Sequence, residues 1–254
     1  MTTDPQQLDH MLSHLTNYLQ QRKEEGGWKV RADREEVRSL GRVPIPSVVE
    51  DVAPAVVAGD QPKTLTGHAE IAARIAQCTL CPLCETRTNT VPGQGARRPE
   101  IAFVGEGPGA DEDRQGLAFV GKAGQLLTKI IEAMGYTRDE VWIGNIVKCR
   151  PPGNRTPLPD EMEACIPYLR EQLALLKPKV IVCLGATAVK GLLKTQSGIT
   201  RLRGNWMSFE GIHVMPTYHP AYLLRNPDGK RDVWDDMKLV LDHLGRKAPP
   251  KKKR

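Results

Sequence analysis

Cys78, Cys81 and Cys84 form a CxxCxxC run, and Cys149 and Cys165 follow far downstream. Thiolates in that number can hold a [4Fe–4S] cluster or a structural zinc ion, and CxxC spacing lets two of them reach one metal body from a single loop. Spacing leaves open which two of the first three are ligands, and iron against zinc. The sixth cysteine, Cys183, sits inside the apolar run VIVCLG and is read as core packing. Three further segments carry polar groups with chemical capacity: GEGPG at 105–109, Asn145 to Cys149, and TYHPA at 217–221. His219 can aim a donor at a developing oxyanion. The Asn145 carboxamide offers a donor and an acceptor side by side. The GEGPG backbone, lacking Cβ atoms, can approach a ligand closely. It has neither GxGxxG spacing nor a following Gly-Lys-Ser/Thr, which removes the nucleotide phosphate-loop reading.

The elements that must position these groups alternate. Ile101–Val104, Val141–Val147 and Val180–Leu184 read as buried strands, and residues 206–209 and 212–215 as a hairpin. Residues 123–134, 160–176, 186–193 and 233–244 carry helical periodicity. Alternation of this kind implies a three-layer α/β/α sandwich around a central, mostly parallel four-stranded sheet. In such a sheet ligands bind beyond the C-terminal strand ends, and the three polar segments all fall there. Ahead of this domain, placed at residues 66–244, residues 1–25 are expected to hold a helix and residues 26–65 a flexible linker. Residues 245–254 are expected to form a basic disordered tail.

Of 254 residues, 36 are Lys or Arg and 30 Asp or Glu, giving a formal net charge of +6. The last ten residues, GRKAPPKKKR, carry six basic groups and no acid, so the tail alone matches the excess of the whole chain. A basic tail can grip phosphates without reading sequence, and the charge is compatible with DNA without establishing it. No apolar run is long enough to cross a bilayer and the N-terminus has no signal-peptide pattern, so the expectation is a cytoplasmic protein, monomeric, with reduced thiols.

The strings GEGPGADEDRQGLAFVGKAGQLL (105–127), NIVKCRPPGNRTPLPDE (145–161) and TYHPAYLLRNP (217–227), in that order, resemble the family 4 uracil-DNA glycosylases, iron–sulfur members of the uracil-DNA glycosylase superfamily. The resemblance spans roughly residues 66–244. It implies a [4Fe–4S] cluster on Cys78, Cys81, Cys149 and Cys165, with Cys84 an extra thiol. It implies uracil-containing DNA as partner, and hydrolysis of the N-glycosidic bond to leave an abasic site. Phe119 resembles the residue that stacks on the flipped base, and Leu223 the wedge that enters the DNA stack, with Arg225 beside it for phosphate. His219 would then stabilise the leaving uracil anion, and Asn145 would read the N3–H and O4 edge. Gly107 and Gly109 stand where better-known superfamily members carry a water-handling aspartate and a thymine-excluding aromatic ring. Glu106, the nearest carboxylate, is the expected water-positioning residue, with Glu112 and Asp113 behind it. Lys122, Lys148, Arg150 and Arg155 are expected phosphate contacts. A superfamily branch that traps DNA through a histidine in the loop after the Asn strand does not fit, because 145–161 contains no His. The competing activities are a glycosylase of broader deaminated-base specificity and a non-catalytic iron–sulfur or zinc DNA-binding module.

Overall fold

The computed structural model describes residues 67–250. The expected helix at 5–25, the linker, and the last four residues of the tail lie outside that range.

Four strands form the parallel centre: β2 (Ile101–Gly105), β3 (Trp142–Asn145), β4 (Val180–Leu184) and β6 (Ile212–Thr217). Short antiparallel strands, β1 (Gln94–Gly95) on β3 and β5 (Met207–Phe209) on β6, extend the sheet to six in the order β1-β3-β2-β4-β6-β5. The parallel count of four holds, and the two edge strands are the difference. The hairpin supplies β5, whereas β1 is only two residues long and carries no alternation to read.

Every residue of β2 and β4 is buried. Their alternate side chains nonetheless enter different layers, as strand geometry requires. Ile101, Phe103, Val180 and Val182 face one core with Leu127 and Ile131 of α4 (Lys122–Ala133) and Val233, Met237 and Val240 of α9 (Gly229–His243). Ala102, Val104, Ile181 and Cys183 face the other, with Leu169 and Leu173 of α5 (Pro159–Leu176) and Val189 and Leu192 of α6 (Ala186–Leu193). The result is the expected three-layer sandwich. Cys183 is fully buried there, and burial pushes its thiol up to about 12, so it is inert core.

Among the described residues no helix is read from the sequence at α1 (Gly67–Ala76), α2 (Leu83–Thr86), α3 (Ala110–Gln115), α7 (Ile199–Leu202) or α8 (Pro220–Arg225), and all but α1 are six residues or fewer, too short for a period to show. Helix α1 packs on α5. The start of the tail is docked: Arg246 pairs with Glu100 and lies over the Tyr136 ring at 4.8 Å. Among the described residues no helix is long and apolar enough to cross a membrane.

Candidate active site and thiol pocket

The C-terminal ends of β2, β3 and β6 converge on one cavity of about 630 Å³. It is lined by Glu106, Gly107, Gly109, Phe119, Asn145 and His219, with Arg225 and Tyr222 at α8. Three segments remote in sequence therefore meet, as the open-sheet rule requires.

Asn145 ends β3 and is 1 % exposed. Its Oδ1 has no hydrogen-bond partner among the described residues. A buried amide oxygen left unpaired costs roughly 1–3 kcal/mol, so the site holds an acceptor waiting for a donor. Opposite it across the β2–β3 ladder stands Gly105. A Cβ at Gly105 would lie 2.4 Å from Phe119 Cζ and 2.6 Å from Asn145 Oδ1. The missing side chain is what lets the ring and the amide share one wall. Gly105→Ala is accordingly expected to lower kcat/KM on a uracil substrate at least tenfold while the thiol pocket is untouched; steady-state kinetics and visible absorption read the two separately.

Phe119 is held at φ +53°, a left-handed conformation that costs a non-glycine residue about 1 kcal/mol or more. The surrounding contacts enforce it. Glu112 Oε1 accepts from the backbone N–H groups of Val120 and Gly121, both at 2.9 Å. Gly124 in α4 leaves its Cβ space to the Phe119 backbone, whose carbonyl oxygen would lie 1.9 Å from that atom. The strain thus fixes a ring whose centroid lies 5.7 Å from that of His219, tilted by 33°.

His219 is the N-cap of α8, and its Nδ1 accepts from the Ala221 N–H at 3.1 Å. An acceptor at Nδ1 puts the neutral ring's proton on Nε2. The ring opens on the cavity, but the mass packed around it is that of an interior. Burial, with the Arg225 charge adding to it, pushes the imidazole down to about 4. The site therefore presents an uncharged Nε2–H donor at neutral pH. The strand end behind it is pinned: Thr217 donates to Asp236 Oδ2 at 2.6 Å, and Arg203 pairs with the same buried carboxylate at 2.7 Å.

The other expected site residues divide. Glu106 lines the cavity and makes no side-chain hydrogen bond among the described residues. Glu112 is committed to the loop at 120–121, and Asp113 is buried, accepting from Thr88 and Asn89 backbone N–H groups; neither is free for water. A Cβ at Gly107 would lie 2.7 Å from Val147, and one at Gly109 2.8 Å from Glu112 Oε2, so larger side chains do not fit either place without a shift. Leu223 corrects the wedge expectation. It is 1 % exposed and packs in the α4–α9 core, because the α8 face that starts at Pro220 returns to the interior three residues on. Leu224 and Tyr222 are the exposed apolar residues of that helix. Lys148 corrects the phosphate expectation: it is fully buried. Arg155 is committed in part to Glu161, which it meets with two nitrogens at 2.8 and 2.6 Å.

Cys78, Cys81, Cys84, Cys149 and Cys165 line a second, small pocket between α1, α2 and α5, with Arg87, Lys148 and Tyr168. Arg87 donates to Cys149 Sγ at 3.2 Å, and the Lys148 backbone N–H to Cys165 Sγ at 3.3 Å. Cationic and N–H donors aimed at sulfur are what ligand thiolates need. Among the described residues no three of His, Cys, Asp and Glu stand as a single-ion site requires.

The uracil DNA glycosylase superfamily model matches residues 92–238, a span that holds all three cavity segments. The chain belongs to the uracil-DNA glycosylase superfamily. It is 47 % identical over 173 residues to a type-4 uracil-DNA glycosylase of Thermotoga maritima, covering 66 % of this chain and 89 % of that protein. A type-4 enzyme of Archaeoglobus fulgidus is 41 % identical over 188 residues, 71 % of this chain and 94 % of its own. A type-5 uracil-DNA glycosylase of Pyrobaculum aerophilum is 30 % identical over 183 residues, 59 % and 80 % respectively. Behind the lining residues, Gly124 under the Phe119 backbone and Asp236 under Thr217 support the site without a motif to announce them. Asp236 left one signal: an acid on the face of α9 that otherwise carries Val233, Met237 and Val240.

Proposed function

We propose that the protein hydrolyses the N-glycosidic bond of uracil in DNA. The observation that carries this is the unpaired, buried Asn145 Oδ1 sharing a cavity with a neutral histidine donor. Uracil is extruded from the duplex or taken from a single strand. Its ring stacks on Phe119, Asn145 accepts from N3–H and donates to O4, and the His219 Nε2–H faces O2. As the bond from C1′ to N1 breaks, charge collects on the base, and that preformed donor gains strength in the transition state. Glu106 orients water toward the sugar cation; a late-attacking water on a dissociative path needs little base strength. Arg225 holds phosphate at the mouth, and Leu224, exposed beside Tyr222, takes the wedge place that Leu223 cannot fill from the core.

The five-thiol pocket gathers enough sulfur donors for a cluster. Cys78, Cys81, Cys149 and Cys165 would hold a [4Fe–4S] group, which supplies a rigid negatively charged tie between the loop before β1 and the segment after β3. Hydrolysis changes no oxidation state, so no step passes through it.

The test is incubation with single- and double-stranded oligonucleotides bearing uracil, hypoxanthine or mismatched thymine, followed by alkaline cleavage. Strand breaks at uracil support the reading. No break on any substrate favours a binding module. Cys149→Ser is expected to bleach the brown colour and lower Tm by roughly 10 °C, at about 2–4 °C per kcal/mol for a domain of this size; a colourless wild type removes the cluster.

A further inference from the structure

Lys148 is used by no step above, yet it is one of the largest fully buried side chains in the molecule. Its Nζ donates to the Asn145 backbone carbonyl at 2.9 Å and lies 5.6 Å from the centre of the Trp142 ring. No carboxylate pairs with it among the described residues. A buried ammonium without a counter-charge is costly, and a negative charge nearby favours keeping it charged. What lies nearby is the thiol pocket, whose wall Lys148 forms with Cys149 and Cys165, and its own backbone N–H points at Cys165 Sγ. One residue thus touches both the strand end that presents Asn145 and the pocket of sulfurs. We propose that Lys148 is a positioning residue that couples the two: the negative charge of the thiolate-bound cluster holds the ammonium, and the ammonium holds the Asn145 carbonyl, setting the amide that reads the base.

The inference rests on the reading of a cluster in the thiol pocket and uracil in the cavity, and it gives the cluster a share in base recognition although it does no chemistry. It also explains why a cation immediately before Cys149 is turned inward, where a DNA contact would face out. A residue acting this way should move ground-state base binding, because the amide contacts form with the bound base, and it should alter the contact to the leaving anion much less.

Lys148→Met keeps the volume of the aliphatic stem and removes the charge and the donor. Iron per chain, visible absorption, inhibition by free uracil, and KM and kcat on a uracil oligonucleotide are measured together. The expected result is inhibition by free uracil weakened about 10- to 100-fold, with KM raised more than kcat is lowered, and a cluster that bleaches faster in air. If packing were the residue's whole role, methionine would bind uracil as wild type does, and that outcome overturns the coupling. Should Lys148→Met fail to fold, Lys148→Arg carries the test. It keeps the charge and hence the iron, but its broad guanidinium cannot occupy the place between the Trp142 ring and the Asn145 carbonyl. Weakened uracil inhibition with full iron supports the coupling, and unchanged inhibition overturns it. The wild type run alongside separates the levels: a wild type that cuts and is inhibited by uracil leaves the glycosylase reading standing whatever the variants do. One that does neither removes both.

Discussion

His219→Ala is expected to lower kcat on a uracil oligonucleotide by about 10²–10³-fold, some 3–4 kcal/mol of barrier, with KM nearly unchanged. The argument is geometric before it is electrostatic. Nδ1 is fixed by the Ala221 N–H at 3.1 Å, so Nε2–H has one direction available, into the cavity. A donor placed there meets little charge on a bound neutral base and nearly a full charge on the leaving one, so its loss appears in kcat. The alanine variant also loses the cap of α8, worth about 1 kcal/mol of stability. His219→Asn separates the effects. Its Oδ1 can accept the same backbone N–H, but its amide does not reach as far as Nε2. Stability should return and the rate should not. A single-turnover rate for the asparagine variant within tenfold of wild type would remove His219 from the leaving-group role.

The same residue sets a pH signature. An exposed histidine would titrate near 6.5, and burial pushes this one down to about 4. Between those values the unfolded chain binds a proton that the folded chain refuses. Stability contributed by the neutral ring is therefore complete above pH 6.5 and is lost as pH falls toward 4, by about 3 kcal/mol at most. Below pH 4 the Nδ1 position becomes a donor and faces the Ala221 N–H, so the cap is broken as well. Melting curves of wild type and His219→Asn from pH 4 to 7 should differ in slope, the wild type falling more steeply. Parallel curves would mean that the ring titrates near its ordinary value.

How far the sequence discloses this site depends on the length scale of each feature. Ile101–Gly105 and Val180–Leu184 are legible because a fully buried parallel strand is a short β-branched run and little else competes with that pattern. Helix α9 begins four residues before its apolar period, at Gly229, because GKRD presents no face to read. Leu223 and Leu224 are the same residue type in adjacent places, and a six-residue helix has too few turns for a periodicity to choose between them. The choice is made by His219, which caps the helix and so fixes which leucine points inward. Lys148 reads as a surface cation for a different reason: lysine is almost always exposed, and the partners that take it inward, the Asn145 carbonyl and the Trp142 ring, lie in no motif. The glycines of GEGPG read as room for a ligand. Gly105 instead makes room for two side chains of the protein, a fact that resides in the β2–β3 register and in no local pattern.

Asn145→Asp should be as damaging as the loss of the histidine, and it reports on recognition. Uracil presents a donor at N3 beside an acceptor at O4, and the carboxamide answers both. A carboxylate answers N3–H but sets an oxygen against O4, inside a wall that holds the residue 1 % exposed. Mispaired groups in a buried site are rejected far more strongly than a missing methylene, and uracil excision is expected to fall by about 10³-fold or more. Burial also favours the protonated acid, whose hydroxyl and carbonyl form the complement of cytosine at N3 and N4. The ratio of uracil to cytosine excision should therefore narrow, and narrow further as pH is lowered. Single-turnover rates on matched uracil and cytosine oligonucleotides at two pH values give the ratio directly. A variant that keeps the wild-type preference would show that the base edge is read elsewhere, and the unpaired Oδ1 would then need another partner.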